Sequence, residues 1–300
     1  MNAPQIGIGL LGPAGIGQAH AHAYTLVRQV LWPPPAVPRL VRVSGRQMAN
    51  AELTRARYGF ERAGERWQEL IDDPAVQAGI VHMVGYNYRF VPAVALTRRL
   101  IDEGRLGRIH HFRARFADAS FLDPEAPFTW HQDAEASGSN ALLDLGSHLI
   151  DLARFLVGEP AAVNGATTTF VPERTDPATG RRAHMTFELN GSGGTVTFDL
   201  ERINSLSVHL LGERPTGGGL REIHVTDADH PYGGVWWPPG HSIGWEASLV
   251  HELGHFLSAV AGRRSAGPLG ATFEDGYRCA VVCDAILEAA RTGRRVVVSQ

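Results

Sequence analysis

One stretch near the amino terminus decides the fold: residues 6–17 read IGIGLLGPAGIG. Ile6 to Leu11 is a short apolar run, as expected for a strand that is buried on both faces of a sheet. Glycines follow at once, and a helical pattern covers residues 18–29. A buried strand that enters a helix through a glycine-rich turn is typical of the first unit of a parallel α/β sheet.

The chain continues this alternation as far as Val84. The apolar spacing predicts a second strand at 40–43, helices at 49–58 and 67–71, and another buried strand at 80–84. The fold class is therefore α/β at this end, with a parallel-sheet domain over residues 1–85.

Beyond Gly85 the pattern changes. Three segments, at 185–189, 196–200 and 206–210, alternate apolar and polar residues, which is typical of antiparallel strands with one polar face. Around them the sequence predicts helices at 91–103, 141–157, 246–261 and 274–291, and strands at 109–116 and 295–298. We predict a second, α+β domain over residues 86–300 with a large open antiparallel sheet.

The composition limits the classes of function. The chain has 300 residues and a net charge of −3, which favours neither nucleic acid nor an anionic membrane as partner. Met1 to Leu11 lacks the basic start of a signal peptide. No apolar run approaches the ~20 residues that a membrane span needs. The chain has only two cysteines, which fits a reducing cytoplasm. All 28 basic residues are arginine, which excludes mechanisms that need a lysine.

The glycine turn has the composition of a dinucleotide site. Gly12 and Gly17 occupy the first and third glycine positions of G-x-G-x-x-G, whereas Ala14 occupies the second and Gly15 offers an alternative placement. The alternative to a pyrophosphate site is a plain strand–helix turn. The candidate cofactor contacts in this turn are Gly12, Ala14, Gly15, Ile16 and Gly17.

The end of the second strand predicts which dinucleotide is bound. An acid there would hold the ribose hydroxyl of NAD, but this strand ends in Ser44, Gly45 and Arg46. A small residue followed by arginine suits a 2′-phosphate better. We therefore expect Ser44 and Arg46 to contact NADP in slight preference to NAD, with a solvated arginine as the alternative.

Asp144 and His148 are the candidate catalytic pair. Their spacing places them on one helix face, where the histidine could take an alcohol proton and the carboxylate could raise its basicity. Asp151, one turn further, could orient His148 or could be a solvated carboxylate.

Four other residues are candidates for substrate binding. Asn87 and Arg89 could hydrogen-bond a polyol or could tie the two domains together. Trp130 and His131 could bind a sugar or could serve only to pack their loop.

Residues 251–255 match the H-E-x-x-H pattern of zinc peptidases. His251 and His255 would be metal ligands, but no histidine follows them to complete the site. We predict that the chain has no metal site and that a surface helix simply carries two histidines. A zinc hydrolase stays a remote alternative.

Several segments together resemble the Gfo/Idh/MocA family of NAD(P)-dependent oxidoreductases. They are the opening glycine turn with its helix, GYNYRF at 85–90, LDLGSHLID at 143–151 and FEDGY at 273–277. The resemblance implies a Rossmann domain, an open antiparallel sheet through which chains oligomerise, and hydride transfer with a sugar or cyclitol. It also implies proton transfer by a Glu-Lys-Pro lysine together with the histidine that matches His148.

The chain departs from this family between Val76 and Ile80. The family runs there through a strand, a helix, the Glu-Lys-Pro strand and a further helix, whereas here four residues lead straight into the last strand. About one and a half βα units are absent. We expect a truncated Rossmann domain, weak dinucleotide binding and impaired turnover; the alternative is a non-catalytic descendant that binds a ligand or a partner.

Overall fold

The computed structural model describes residues 3–76, 81–117, 142–168, 184–212 and 219–298, and the statements below concern these residues. Seven α-helices lie in these ranges: α1 (Ile16–Val30), α2 (Met48–Tyr58), α3 (Gln68–Ile71), α4 (Pro92–Asp102), α5 (Ser147–Leu156), α6 (Glu246–Val260) and α7 (Phe273–Thr292). Ten strands accompany them: β1 (Gln5–Leu11), β2 (Val37–Ser44), β3 (Arg62–Gly64), β4 (Ile109–Ala117), β5 (Ala162–Val163), β6 (His184–Gly191), β7 (Gly194–Asp199), β8 (Ser205–Leu210), β9 (Arg221–His224) and β10 (Val296–Val297).

The chain folds into two units that differ from the predicted division at residue 85. Unit 1 joins Met1–Val91 to Thr226–Phe273, and unit 2 joins Pro92–Val225 to Glu274–Gln300. The segment 226–273 joins unit 1 because α6 packs along α1, with Val27, Leu249 and Leu257 in one buried cluster. Because α6 is so distant from α1 in sequence, their contact could not be predicted from the local sequence pattern.

Unit 1 contains the parallel sheet that the sequence predicted. Its described strands run in the order β1-β2-β3, and both pairs are parallel. Helices α1 and α2 follow β1 and β2, so the glycine turn lies at the carboxyl end of β1. Ligands of open α/β sheets bind at this edge.

The strand predicted at 80–84 is wrong for the part of it that the structure describes. Residues 81–84 form no strand, and their exposure ranges from half-buried to exposed. Val84 instead donates its N–H to the Ala271 carbonyl at 2.8 Å, and the Phe273 N–H donates to His82 Nδ1 at 3.1 Å. An apolar run becomes a strand only where a neighbouring strand accepts its backbone hydrogen bonds.

Unit 2 contains the open antiparallel sheet, in the order β4-β6-β7-β8-β9. Its predicted alternation is confirmed: Met185, Phe187 and Leu189 of β6 are buried on one face. The residues between them lie on the opposite, more polar face. Strands β5 and β10 form a separate antiparallel pair.

No helix in the described ranges is both long and apolar enough to cross a membrane.

Candidate functional site

The glycine turn of unit 1 has a backbone that only glycine adopts easily. Gly12 has a φ of +95° and Gly15 a φ of +49°, both in the left-handed region. At Gly17 a Cβ atom would lie 1.8 Å from the Gly12 carbonyl oxygen, so a side chain cannot fit. The Gly12 N–H donates to the Ser44 carbonyl at 2.9 Å, which joins the turn to the end of β2.

The same turn offers room for an anion at the start of α1. A Cβ built on Gly12 or Gly15 would meet no atom within 4 Å. No side chain caps the helix at Gly15, and Ile16 is 56% exposed. Because a helix amino terminus carries partial positive charge, this open cradle fits a dinucleotide pyrophosphate. Ala14, also exposed, lies within it.

Two side chains that the sequence analysis missed brace this turn. Thr54 of α2 donates its hydroxyl to the Pro13 carbonyl at 2.8 Å, and Gln18 Nε2 donates to the same oxygen at 3.2 Å. Thr54 lies 41 residues from Pro13 in sequence. No local pattern could have linked them, and both hold the turn in its open shape.

Ser44 and Arg46 differ in their access to a cofactor. Ser44 is wholly buried, and its hydroxyl has no hydrogen-bond partner among the residues that the structure describes. Gly45 lies against Pro13, since a Cβ there would come 2.3 Å from Pro13 Cδ. Arg46 is exposed and free to reach a phosphate. Arg46 is therefore the better placed of the two candidates.

In unit 2 the predicted catalytic pair lies where a π-helical turn, Leu142–Gly146, becomes α5. Asp144 is exposed in this turn, and His148 follows in the first turn of α5. Burial lowers the pKa of His148 to about 4, and the nearby Asp144 carboxylate opposes that shift. The imidazole is thus neutral at pH 7 and can accept a proton.

Asp151 lies one turn further along α5. It is 1% exposed, so the interpretation as a solvated carboxylate is wrong. The apolar face of α5 carries it inward together with Leu152 and Phe155. Its buried position one turn from His148 fits an orienting role.

Asn87 and Arg89 are both buried in unit 1. Asn87 Nδ2 donates to Ser248 Oγ at 2.8 Å, and Arg89 Nη1 donates to the Pro268 carbonyl at 3.2 Å. These bonds connect the GYNYRF segment to α6 and to the chain that follows it. Contact with substrate stays a prediction for both residues. Trp130 and His131 lie outside the described residues.

The H-E-x-x-H motif occupies buried positions of α6, so its prediction as a surface helix is wrong. His251 Nε2 accepts from Trp236 Nε1 at 2.7 Å, and His251 Nδ1 donates to the Phe90 carbonyl at 3.0 Å. His255 Nε2 bonds the Ala266 carbonyl at 2.7 Å. His251 therefore has no nitrogen to offer a metal. The motif anchors α6 to the GYNYRF segment.

Comparison with known proteins identifies the family to which this chain belongs. Residues 94–214 match the model of the GFO/IDH/MocA C-terminal domain. A levoglucosan dehydrogenase of Pseudarthrobacter phenanthrenivorans is 31% identical, with 98% of each chain covered. The chain belongs to the Gfo/Idh/MocA family. It is therefore an oxidoreductase related to dehydrogenases that act on sugars and cyclitols.

Two solved structures resemble this chain over nearly its whole length. A levoglucosan dehydrogenase in complex with NADH superimposes with a TM-score of 0.93 at 31% identity, covering 99% of this chain and 100% of that one. An oxidoreductase domain protein from Kribbella flavida gives 0.92 at 28% identity, covering 100% of both chains. The inositol 2-dehydrogenase of Rhizobium meliloti is 22% identical over 72% of this chain and 65% of its own length.

The alignment with the levoglucosan dehydrogenase is longer than this chain. It runs over 389 positions, whereas the chain has 300 residues, so at least 89 positions contain no residue of this chain. The described part of the parallel sheet has three strands. The truncation expected from the sequence stays a prediction.

Proposed function

We propose that this protein oxidises a hydroxyl group of a sugar or anhydrosugar with NAD(P), and that it does so slowly. The geometry that carries this proposal is His148 in the first turn of α5, with Asp144 four residues earlier in the π-helical turn that leads into it. The similarity to a levoglucosan dehydrogenase supports a related substrate class. Bound NAD(P) would supply a hydride acceptor.

Unit 1 would hold the cofactor through its glycine turn. Gly12, Gly15 and the amino terminus of α1 would face the pyrophosphate. Arg46, exposed beyond the end of β2, would pair with a 2′-phosphate, which favours NADP. The NADH found in levoglucosan dehydrogenase structures supports binding of the unphosphorylated cofactor as well. An Arg46→Ala variant should lose affinity for NADP and keep its affinity for NAD.

Unit 2 would supply the group that accepts the hydroxyl proton of the substrate. As hydride leaves the substrate carbon, the hydroxyl proton must also leave, and His148 Nδ1 or Nε2 would accept it. Asp144 would stabilise the imidazolium that results, and the buried Asp151 would fix the orientation of α5's histidine. Asn87 and Arg89 would hold the GYNYRF segment of unit 1 in place through their described bonds.

Slow turnover follows from the absence of lysine. The chain has no lysine to act as a second proton-transfer group, and arginine stays protonated at neutral pH. Loss of one positioned acid–base group typically costs about 10²–10⁴-fold in rate. The same absence favours a second candidate function, a non-catalytic descendant that binds dinucleotide or sugar without turnover.

A paired assay separates the two functions. The formation of reduced nicotinamide would be followed across levoglucosan, simple sugars and cyclitols, with both cofactors, beside calorimetric titration of each cofactor. We expect cofactor binding and slow turnover that is lost in His148→Asn but retained in His111→Asn, a control histidine exposed on β4. Cofactor binding without turnover would favour the non-catalytic protein. Turnover unaffected by His148→Asn would refute the assignment of the base.

We also propose that the protein is a homo-oligomer that associates through the open antiparallel sheet, working in the cytoplasm. The polar face of β6 to β8 supports this proposal. Light scattering after gel filtration should give a mass that is a multiple of 32.5 kDa, and a monomer would contradict it.

A further inference from the structure

The carbonyl oxygen of Pro13, inside the glycine turn, accepts hydrogen bonds from two helices of unit 1. Thr54 Oγ1 of α2 donates to it at 2.8 Å, and Gln18 Nε2 of α1 donates to it at 3.2 Å. A carbonyl oxygen has two lone pairs, so these two donors satisfy it. Thr54 is only 1% exposed, which keeps water away from the shorter of the two bonds. The Pro13 carbonyl is therefore held toward these two side chains.

The direction of this carbonyl fixes the direction of the next N–H. The peptide bond between Pro13 and Ala14 is trans. In a planar trans peptide the N–H points opposite to the C=O, so the Ala14 N–H points away from Thr54 and Gln18. Within the part of the chain that the structure describes, neither the Ala14 nor the Gly15 N–H donates to a backbone carbonyl, and both residues are exposed. Neighbouring backbone N–H groups of this kind form concave anion sites.

The ring of Pro13 is held as well as its carbonyl. Pro13 is buried, and a Cβ atom at Gly45 would lie 2.3 Å from Pro13 Cδ, so the ring packs where residue 45 has no side chain. Without the Thr54 hydroxyl, the carbonyl would lose its shorter bond, and the peptide would be free to turn its oxygen toward the exposed side of the turn. A carbonyl oxygen carries partial negative charge, so in that position it would repel a phosphate.

We propose that Thr54 is a positioning residue for dinucleotide binding, with Gln18 as its partner. The two side chains hold the Pro13 carbonyl away from the anion, and this directs the Ala14 N–H toward the pyrophosphate. The inference rests on the proposed cofactor site in the glycine turn and adds to it a residue of α2 that does not touch the cofactor. Because NAD and NADP share the pyrophosphate, Thr54 affects the binding of both.

Calorimetric titration of the full-length protein with NAD and with NADP tests the proposal. Thr54→Val removes the hydroxyl donor and keeps a side chain of similar size, whereas Thr54→Ser keeps the hydroxyl. We expect both dissociation constants to rise about tenfold in Thr54→Val, as for the loss of one hydrogen bond to a charged group, and to return close to the parent values in Thr54→Ser. Gln18→Met, which removes the second donor, should raise both constants several-fold.

Thr97→Val is the matched control for Thr54→Val. Thr97 is a buried residue of α4 in unit 2, and its hydroxyl donates to the Ala93 carbonyl at 2.9 Å. Each valine variant loses one buried hydroxyl, so both should melt at a lower temperature than the parent protein. Only Thr54→Val should bind the dinucleotides more weakly. A purely structural role of Thr54 predicts instead that the folded variant keeps the parent dissociation constants.

The possible outcomes separate this proposal from the proposed function. Unchanged affinity in Thr54→Val would overturn the role of Thr54 alone, and Gln18→Met decides in the same way if Thr54→Val does not fold. A loss of affinity for NADP but not for NAD would also overturn it, because the effect would then lie at the 2′-phosphate. Absence of dinucleotide binding by the parent protein would refute the cofactor site itself, and the role of Thr54 with it.

Discussion

His148 is the residue on which the proposed chemistry depends, and its low pKa determines the expected pH dependence. A base works in its deprotonated form, so kcat/KM should rise with pH through the pKa of about 4 and be level from about pH 6 upward. Asp144 raises that pKa, so Asp144→Asn should shift the acid limb to lower pH. The measurement is kcat/KM from about pH 3 to 8, so that a shift below the pKa of about 4 can be seen. An acid limb near 6.5, unmoved by Asp144→Asn, would contradict this role for the pair.

Ala14 is the residue that departs most clearly from the glycine pattern of the turn. It is exposed beside the open space at Gly12 and Gly15, so its methyl group would crowd a pyrophosphate bound there as proposed. Ala14→Gly should therefore tighten dinucleotide binding several-fold while altering unfolding free energy by no more than about 1 kcal/mol. Calorimetric titration and thermal melts test both parts. Equal or weaker binding would show that Ala14 does not limit access.

Single residues show where sequence reasoning stops. The positive φ values of Gly12 and Gly15 could be predicted from the sequence, because a glycine-rich turn favours them. The support that Thr54 gives to Pro13 joins residues 41 positions apart in the chain. The pKa of His148 depends on burial by surrounding structure. These features become visible only when the chain has folded.

At the scale of elements, α6 owes its position to buried polar contacts as well as to apolar packing. Trp236 Nε1 donates to His251 Nε2 at 2.7 Å, so Trp236→Phe would leave a buried nitrogen without this donor. We expect a loss of about 1–3 kcal/mol in unfolding free energy.

Trp237→Phe is the matched control for that variant, because Trp237 is 64% exposed. It should change the unfolding free energy by no more than about 0.5 kcal/mol. Urea unfolding of the three proteins provides the comparison. Equal losses in the two variants would contradict a specific role for the Trp236–His251 bond.

Most elements follow from periodicity, and the exceptions have a physical reason. The 3.6-residue pattern of α1 and the two-residue alternation of β6 to β8 were readable because each element buries one face. The run at 80–84 has the composition of a buried strand, but Val84 bonds Ala271 instead of a strand neighbour. Likewise α6 was predicted to be a surface helix, since its contact with α1 joins segments more than 200 residues apart.

At the scale of the whole molecule, the chain combines a glycine turn and a candidate base, His148, with a sequence that contains no lysine. The first two features predict that the protein still binds the cofactor and can still take the hydroxyl proton of a substrate. The absence of lysine predicts slow hydride transfer, because no lysine can act as a second proton-transfer group. The truncation expected from the sequence would slow the transfer further, since the nicotinamide would lose contacts to the missing strands.

The rate of hydride transfer tests directly whether the protein is a slow dehydrogenase that depends on His148. Reduced nicotinamide would be followed at saturating cofactor and levoglucosan, in the parent protein and in His148→Asn. We predict measurable turnover at least about 10²-fold below the ~10 s⁻¹ of an ordinary enzyme, abolished by His148→Asn. A rate near ~10 s⁻¹ would contradict the proposed impairment, and a slow rate that persists in His148→Asn would contradict the proposed base.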